Sequence, residues 1–168
     1  RRPIDSCRFA DNRVRLAPGQ QIHLGAGTMH AYLSGTGVEI MANSDNVLRG
    51  GLTSKYVDVK ALLDHANMTP EPCVAEYAEQ VSSGIGRYRT EFPEFRLWEL
   101  KSHDDTLALP AAELGRILLV TEGQLVAHWG TTNCELSSGQ SAWLSAGDKV
   151  MVSGQGRGFL ASAGIGAP

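Results

Sequence analysis

The sequence predicts an all-β chain of the jelly-roll kind, and three observations carry that expectation. Short apolar-polar alternations recur, glycine- or proline-centred turn signals interrupt them at nearly every eighth to tenth residue, and one strand-turn-strand unit occurs twice. The repeat is an ungapped match of residues 18–30, PGQQIHLGAGTMH, to residues 138–150, SGQSAWLSAGDKV. Gly19 matches Gly139, Gln20 matches Gln140, Leu24 matches Leu144, Ala26 matches Ala146 and Gly27 matches Gly147, while Leu16 and Leu136 extend the register backwards. Each copy reads as strand, turn at P-G or S-G, strand, turn at A-G-x-x, strand. At the last position the copies part: His30 stands where the second has Val150.

In the first copy Val14 and Leu16 alternate with Arg13 and Arg15, and Ile22 and Leu24 alternate with Gln21 and His23, so two short strands are expected. Between the copies, DVKALLDHANM offers Asp58 as an N-cap with Val59, Leu62, Leu63 and Ala66 on one face, which predicts a short helix. Pro70, Glu71 and Pro72 mark a linker. Strand patterns then crowd the later half: FRLWELK, RILLVTEG, QLVAHWG, CELSSG, SAWLSAG, KVMVSG and GFLASAG. The second copy has a long strand-forming stretch upstream of its repeat and the first has little, so the first sandwich reads as incomplete. The expected organisation is the closing strands of one barrel over 1–57, helix and linker over 58–90, and a complete barrel over 91–168. A chain opening Arg-Arg-Pro without a methionine reads as a piece of something longer.

With 168 residues and 42% hydrophobic content the chain can bury a sizeable core. Its formal charge of -3, without a lysine or arginine run, argues against nucleic acid or anionic membrane as partners. The longest aliphatic run, residues 117–120, is far short of a membrane span, and cytoplasmic residence is the expectation. Cys7, Cys73 and Cys134 are odd in number and widely spaced, which suits reduced structural thiols.

Residues 30–55, HAYLSGTGVEIMANSDNVLRGGLTSK, closely resemble the C-terminal motif of type I mannose-6-phosphate isomerases, zinc enzymes built from cupin barrels. That pattern runs H-A-Y-x-x-G, then E-x-M-A-x-S-D-N-x-x-R-A-G-x-T-P-K. It is matched here by His30, Ala31, Tyr32, Gly35, Glu39, Met41, Ala42, Ser44, Asp45, Asn46, Arg49, Gly51, Thr53 and Lys55. Gly50 replaces the usual alanine and Ser54 the usual proline. The resemblance implies a bicupin-type fold and interconversion of mannose 6-phosphate and fructose 6-phosphate. It implies that His30 is one of four zinc ligands, the others coming from Q-x-H and K-P-E segments that this chain does not contain. The 168 residues alone are therefore expected to be inactive.

The reaction moves a proton between carbons next to a carbonyl, through an enediol whose negative oxygen needs stabilising. Zinc can polarise that oxygen, a carboxylate can shuttle the proton and a fixed guanidinium can meet the developing charge. Arg49 suits the last role; on residues alone it is equally a salt-bridge partner of Asp45. Glu39, alternating with Val38 and Ile40 in an expected strand, reads as a solvent-facing carboxylate, whereas the resemblance turns it into the barrel as a catalytic group. The resemblance likewise assigns Tyr32, Asp45 and Lys55 to substrate. Read plainly, they are a surface-tipped tyrosine, a turn former and a solvated lysine.

The second barrel is expected to hold no metal. Val150 fills the histidine's place with core, and His128 lacks an H-x-H partner and reads as a surface or packing residue. Trp98, Trp129 and Trp143 read as core or edge aromatics. Two other functions fit the residues: a metal-free sugar-phosphate binding module, or a structural piece that dimerises through unpaired strand edges around residues 14–24.

Overall fold

The computed structural model describes residues 13–44, 46–51, 53–69 and 72–164. It is mostly strand with one helix, as the alternation predicts. Two compact units divide it, one taking residues through 38 together with 44–76, the other 39–43 together with residues from 77 onward.

In the first unit the strand expectation is largely overturned. Strand β1 is only Gln20–Gln21. Val14 and Leu16 are exposed and outside any strand, and the 30–44 stretch containing Glu39 forms no strand either. Alternation marks a face, but a strand persists only where a neighbour completes its ladder, and two residues are too few to stand alone. The helix is where the sequence puts it: α1 spans Val59–His65, and the Asp58 carboxylate accepts the Ala61 N–H at 2.9 Å. That bond satisfies one of the amides a helix start leaves open. Leu62 is half-buried, whereas Val59 and Leu63 of the expected apolar face are exposed.

Strand β2 (Glu76–Tyr77) lies where the units meet in sequence, and β3 (Glu79–Ser82) and β4 (Ile85–Tyr88) follow in a stretch that reads as linker. The remaining strands are β5 (Phe95–His103), β6 (Leu107–Ala108), β7 (Arg116–Trp129), β8 (Thr132–Ser137), β9 (Ser141–Leu144) and β10 (Met151–Ala163). Eight of them form one sheet in the order β3-β4-β5-β10-β7-β8, with β6 on β10 and β9 on β7. Every pairing in its registers is antiparallel.

RILLVTEG and QLVAHWG, expected as two strands, are one, and so are KVMVSG and GFLASAG. Gly123 (φ 68°) and Gly154 (φ 106°) sit inside these long strands instead of turning them. Between β7 and β10 the register jumps from Arg157 opposite Glu122 to Gly158 opposite Val120, so Thr121 is an extra residue. Such a bulge shifts the inward alternation by one. Leu118 and Val120 before it and Leu125 and Ala127 after it therefore all enter one core. Trp98, Leu100, Leu136, Leu144, Val150 and Leu160 are among the other residues of that core, with Trp129 packed against it. Trp143 is 66% exposed on the opposite face.

Candidate active site

The duplicated turns keep the same geometry in both units. Gly19 and Gly139 have φ of 87° and 86°, and Gly27 and Gly147 have 78° and 79°, values that favour glycine. The Gln20 N–H donates to the Ala17 carbonyl at 3.0 Å and the Gln140 N–H to the Ser137 carbonyl at 2.9 Å. Each glutamine side chain reaches back to accept the N–H of residue 17 or 137, at 2.8 Å in both cases. In the first unit the A-G-T turn is tied to the end of α1: the Asn67 N–H donates to the Gly27 carbonyl at 2.9 Å, and Thr28 bridges Asn67. A Cβ on Gly27 would stand 2.6 Å from the His65 carbonyl, so the close approach requires glycine.

This anchored turn presents His30 to solvent, whereas Val150 at the same place in the second copy is 2% exposed and belongs to the core. His30 Nδ1 lies 3.0 Å from the Thr28 carbonyl, and its ring meets Tyr32 edge-on with centroids 5.8 Å apart. A carbonyl can only accept, so Nδ1 carries the hydrogen and the lone pair of a neutral ring sits on Nε2. A metal-ligating histidine is held in this way.

Arg49 is exposed, and Gly50 beside it rests against the residue preceding His30: a Cβ there would come 2.8 Å from Met29 Cε. An alanine, usual at this place in the resembled pattern, requires only that the flexible methionine tip move. The tip of the Met29 side chain thus lies against the Gly50 backbone. Tyr32, 72% exposed, lies beside His30. Lys55 is exposed, with its own N–H donating to Thr53 Oγ1 at 3.1 Å. Glu39 is exposed and falls in the stretch grouped with the second unit. Asp45, and with it the Asp45–Arg49 salt bridge, lies outside the described residues. Cys7 does too; Cys73 and Cys134 are free thiols, half-buried.

Among the described residues no three or more histidine, cysteine, aspartate or glutamate side chains gather as a metal site. A complete four-ligand zinc site does not fit the described residues. No described helix is long and apolar enough to cross a membrane.

The second unit contains a polar cluster that alternation alone did not single out. Glu99, 5% exposed, forms ion pairs with Arg157 Nη2 at 2.5 Å and with Lys101 Nζ at 3.0 Å. The Arg157 guanidinium lies 5.4 Å from the Phe159 ring centre, and Phe159 stacks on Tyr88. Burial works against the charge of Arg157, yet the adjacent Glu99 carboxylate outweighs it and holds the pKa above the usual value. Burial, reinforced by the same carboxylate, pushes the Tyr88 phenol up. The cluster's only signal in the sequence is Glu99 standing between Trp98 and Leu100 in the middle of an expected strand. Arg116, 1% exposed, donates to the Pro110 and Asp148 carbonyls at 2.6 Å each, and burial lowers its pKa. His128 bonds Asn133 Oδ1 and Ser153 Oγ, both at 2.8 Å, in a chain across three strands.

No family model matches the chain. It is 38% identical over 167 residues to mannose-6-phosphate isomerase of Salmonella typhimurium (strain LT2), covering 95% of this chain and 41% of that protein. To the mannose-6-phosphate isomerase of Escherichia coli K12 it is 36% identical, covering 92% and 41%, and to that of Mus musculus 31% identical, covering 84% and 35%. The chain therefore spans about two-fifths of the length of the bacterial relatives it matches. The crystal structure of the apo Salmonella enzyme superposes with a TM-score of 0.64 at 27% identity, covering 74% of this chain and 32% of that one. Solved alanine variants of that enzyme include one of a histidine, one of a glutamate nine positions later and one of an arginine ten positions after that.

Proposed function

We propose that this chain, a homologue of the mannose-6-phosphate isomerases, supplies an imidazole, a carboxylate and a guanidinium to the site of an aldose-ketose isomerase acting on mannose 6-phosphate and fructose 6-phosphate. One observation carries the reading. His30, Glu39 and Arg49 repeat the nine- and ten-residue spacing of the histidine, glutamate and arginine replaced in the Salmonella variants. The Nε2-directed ring of His30 supports its role as one zinc ligand, the remaining ligands lying outside these residues. Arg49, with its planar fork of donors, donates hydrogen bonds to the oxygen that turns negative in the enediol. Glu39 moves the proton between neighbouring carbons. Tyr32, Asp45 and Lys55 bind the sugar phosphate. The antiparallel sheet and single core of the second unit support its reading as a cupin-type jelly roll that holds no metal.

The test joins this chain to the part of the Salmonella enzyme that it does not match and follows mannose 6-phosphate turnover. The joined, zinc-loaded protein is expected to isomerise the sugar and the 168 residues alone to be inert. A folded, zinc-loaded hybrid without turnover contradicts the assignment. Turnover by the chain alone contradicts the division of ligands.

A further inference from the structure

The second unit carries a cleft of about 510 Å³ whose walls include Lys101, His103, Glu122, Gln155 and Arg157, none of them a residue assigned to isomerisation. Gly123 and Gly156 line it without side chains, because the bulge leaves no room there: a Cβ would stand 2.2 Å from the Gln155 carbonyl or 2.4 Å from the Glu122 carbonyl. Lys101 and Arg157 are register partners on β5 and β10, so two cations are set side by side on one sheet face. Like charges so placed repel. The buried Glu99 beneath them, 6% exposed in its side chain, forms ion pairs with both and holds them there.

One carboxylate against two cations leaves the pair short of negative charge. Arg157 Nη1 reaches a second carboxylate only at the rim, 3.5 Å away on Glu122, whose side chain is 68% exposed. A contact so long and so wet contributes little. Asp105 opposes this balance from an adjoining cleft that it shares with Lys101 and His103. A lysine ammonium has three donors, of which Glu99 takes one, and a guanidinium fork matches the oxygens of a phosphoryl group.

We propose that this cleft binds a small oxyanion of the phosphate class, gripped by Arg157 Nη1 and Lys101 Nζ in the place of Glu122. Glu99 is the positioning residue that makes the grip rigid, and the glycines let the anion approach the strands. His103 and Gln155 stand on the rim as further donors.

The experiment titrates the intact 168-residue chain, at low ionic strength, with inorganic phosphate, glycerol 1-phosphate and glycerol, following backbone amide NMR shifts. Saturable shifts at residues 101, 155 and 157 are expected with phosphate and none with glycerol. Tighter binding of glycerol 1-phosphate identifies an ester as the preferred source, and tighter binding of phosphate the free ion. Glu122→Gln, an exposed change, is expected to tighten binding about threefold, and Lys101→Met to weaken it about tenfold. Absence of saturable shifts at these residues overturns the proposal. So does an E122Q affinity equal to or weaker than the parent's.

Discussion

His30 and Val150 occupy the same step of the same turn, and their surroundings explain why one is polar and the other is not. Val150 is sealed in the core, where an imidazole would lose its water without gaining a partner. Val150→His is expected to destabilise the chain by about 2–4 kcal/mol, whereas His30→Val, at an exposed site, is expected to change stability by less than about 0.5 kcal/mol. Chemical denaturation of the two variants checks both. Tyr88 makes a second prediction. Its folded pKa is raised by burial and by Glu99, so the folded state keeps the phenol proton longer than the unfolded state does. The stability it contributes is intact below the unfolded value of about 10 and falls as pH rises beyond it towards the folded value. Denaturation curves from pH 8 to 11 should show this loss, and Tyr88→Phe should flatten it. An unchanged slope in the variant places the alkaline loss elsewhere.

At the scale of elements, the A-G-T turn is only as precise as Gly27 allows. Gly27→Ala forces both a left-handed φ and a clash with the His65 carbonyl, and is expected to cost about 1–3 kcal/mol. Gly25→Ala meets nothing nearer than Thr28 Oγ1 at 3.8 Å and should be close to neutral. Melting curves of the pair separate them. These turns were legible in the sequence because a repeated glycine at fixed offset reports a backbone conformation directly. So was α1, because Asp58 is a cap that acts locally. The bulge was not legible: Gly123 and Gly154 look like turn formers until β10 is seen running across both halves of β7. Nor could alternation show that residues 13–44 keep only a two-residue strand, since a strand depends on what lies beside it. The motif spelling proposed His30, Glu39 and Arg49 as candidates for the site. The Met29–Gly50 contact and the Glu99 cluster needed three dimensions, because both join residues distant in sequence.

For the molecule as a whole, the two units take different parts. The second holds a continuous core in which every repeat position that packs is apolar, and this stability frees its outer face to carry charged groups such as Lys101, Glu122 and Arg157. Among its described residues the first has little sheet of its own, and it displays His30 and Arg49 on loops, the His30 turn being tied to the end of a capped helix. Loops on an anchored base are where reactive groups are commonly placed. In the proposed isomerase role this displayed motif is catalytic equipment, with Arg49 acting on charge that appears only during the reaction. The most direct measurement compares the hybrid enzyme with its Arg49→Ala variant, under matched zinc content, in mannose 6-phosphate turnover. A guanidinium that stabilises the enediol oxygen predicts a kcat lower by about 10²–10³, with zinc content unchanged. A variant that turns over at the parent's kcat contradicts the account.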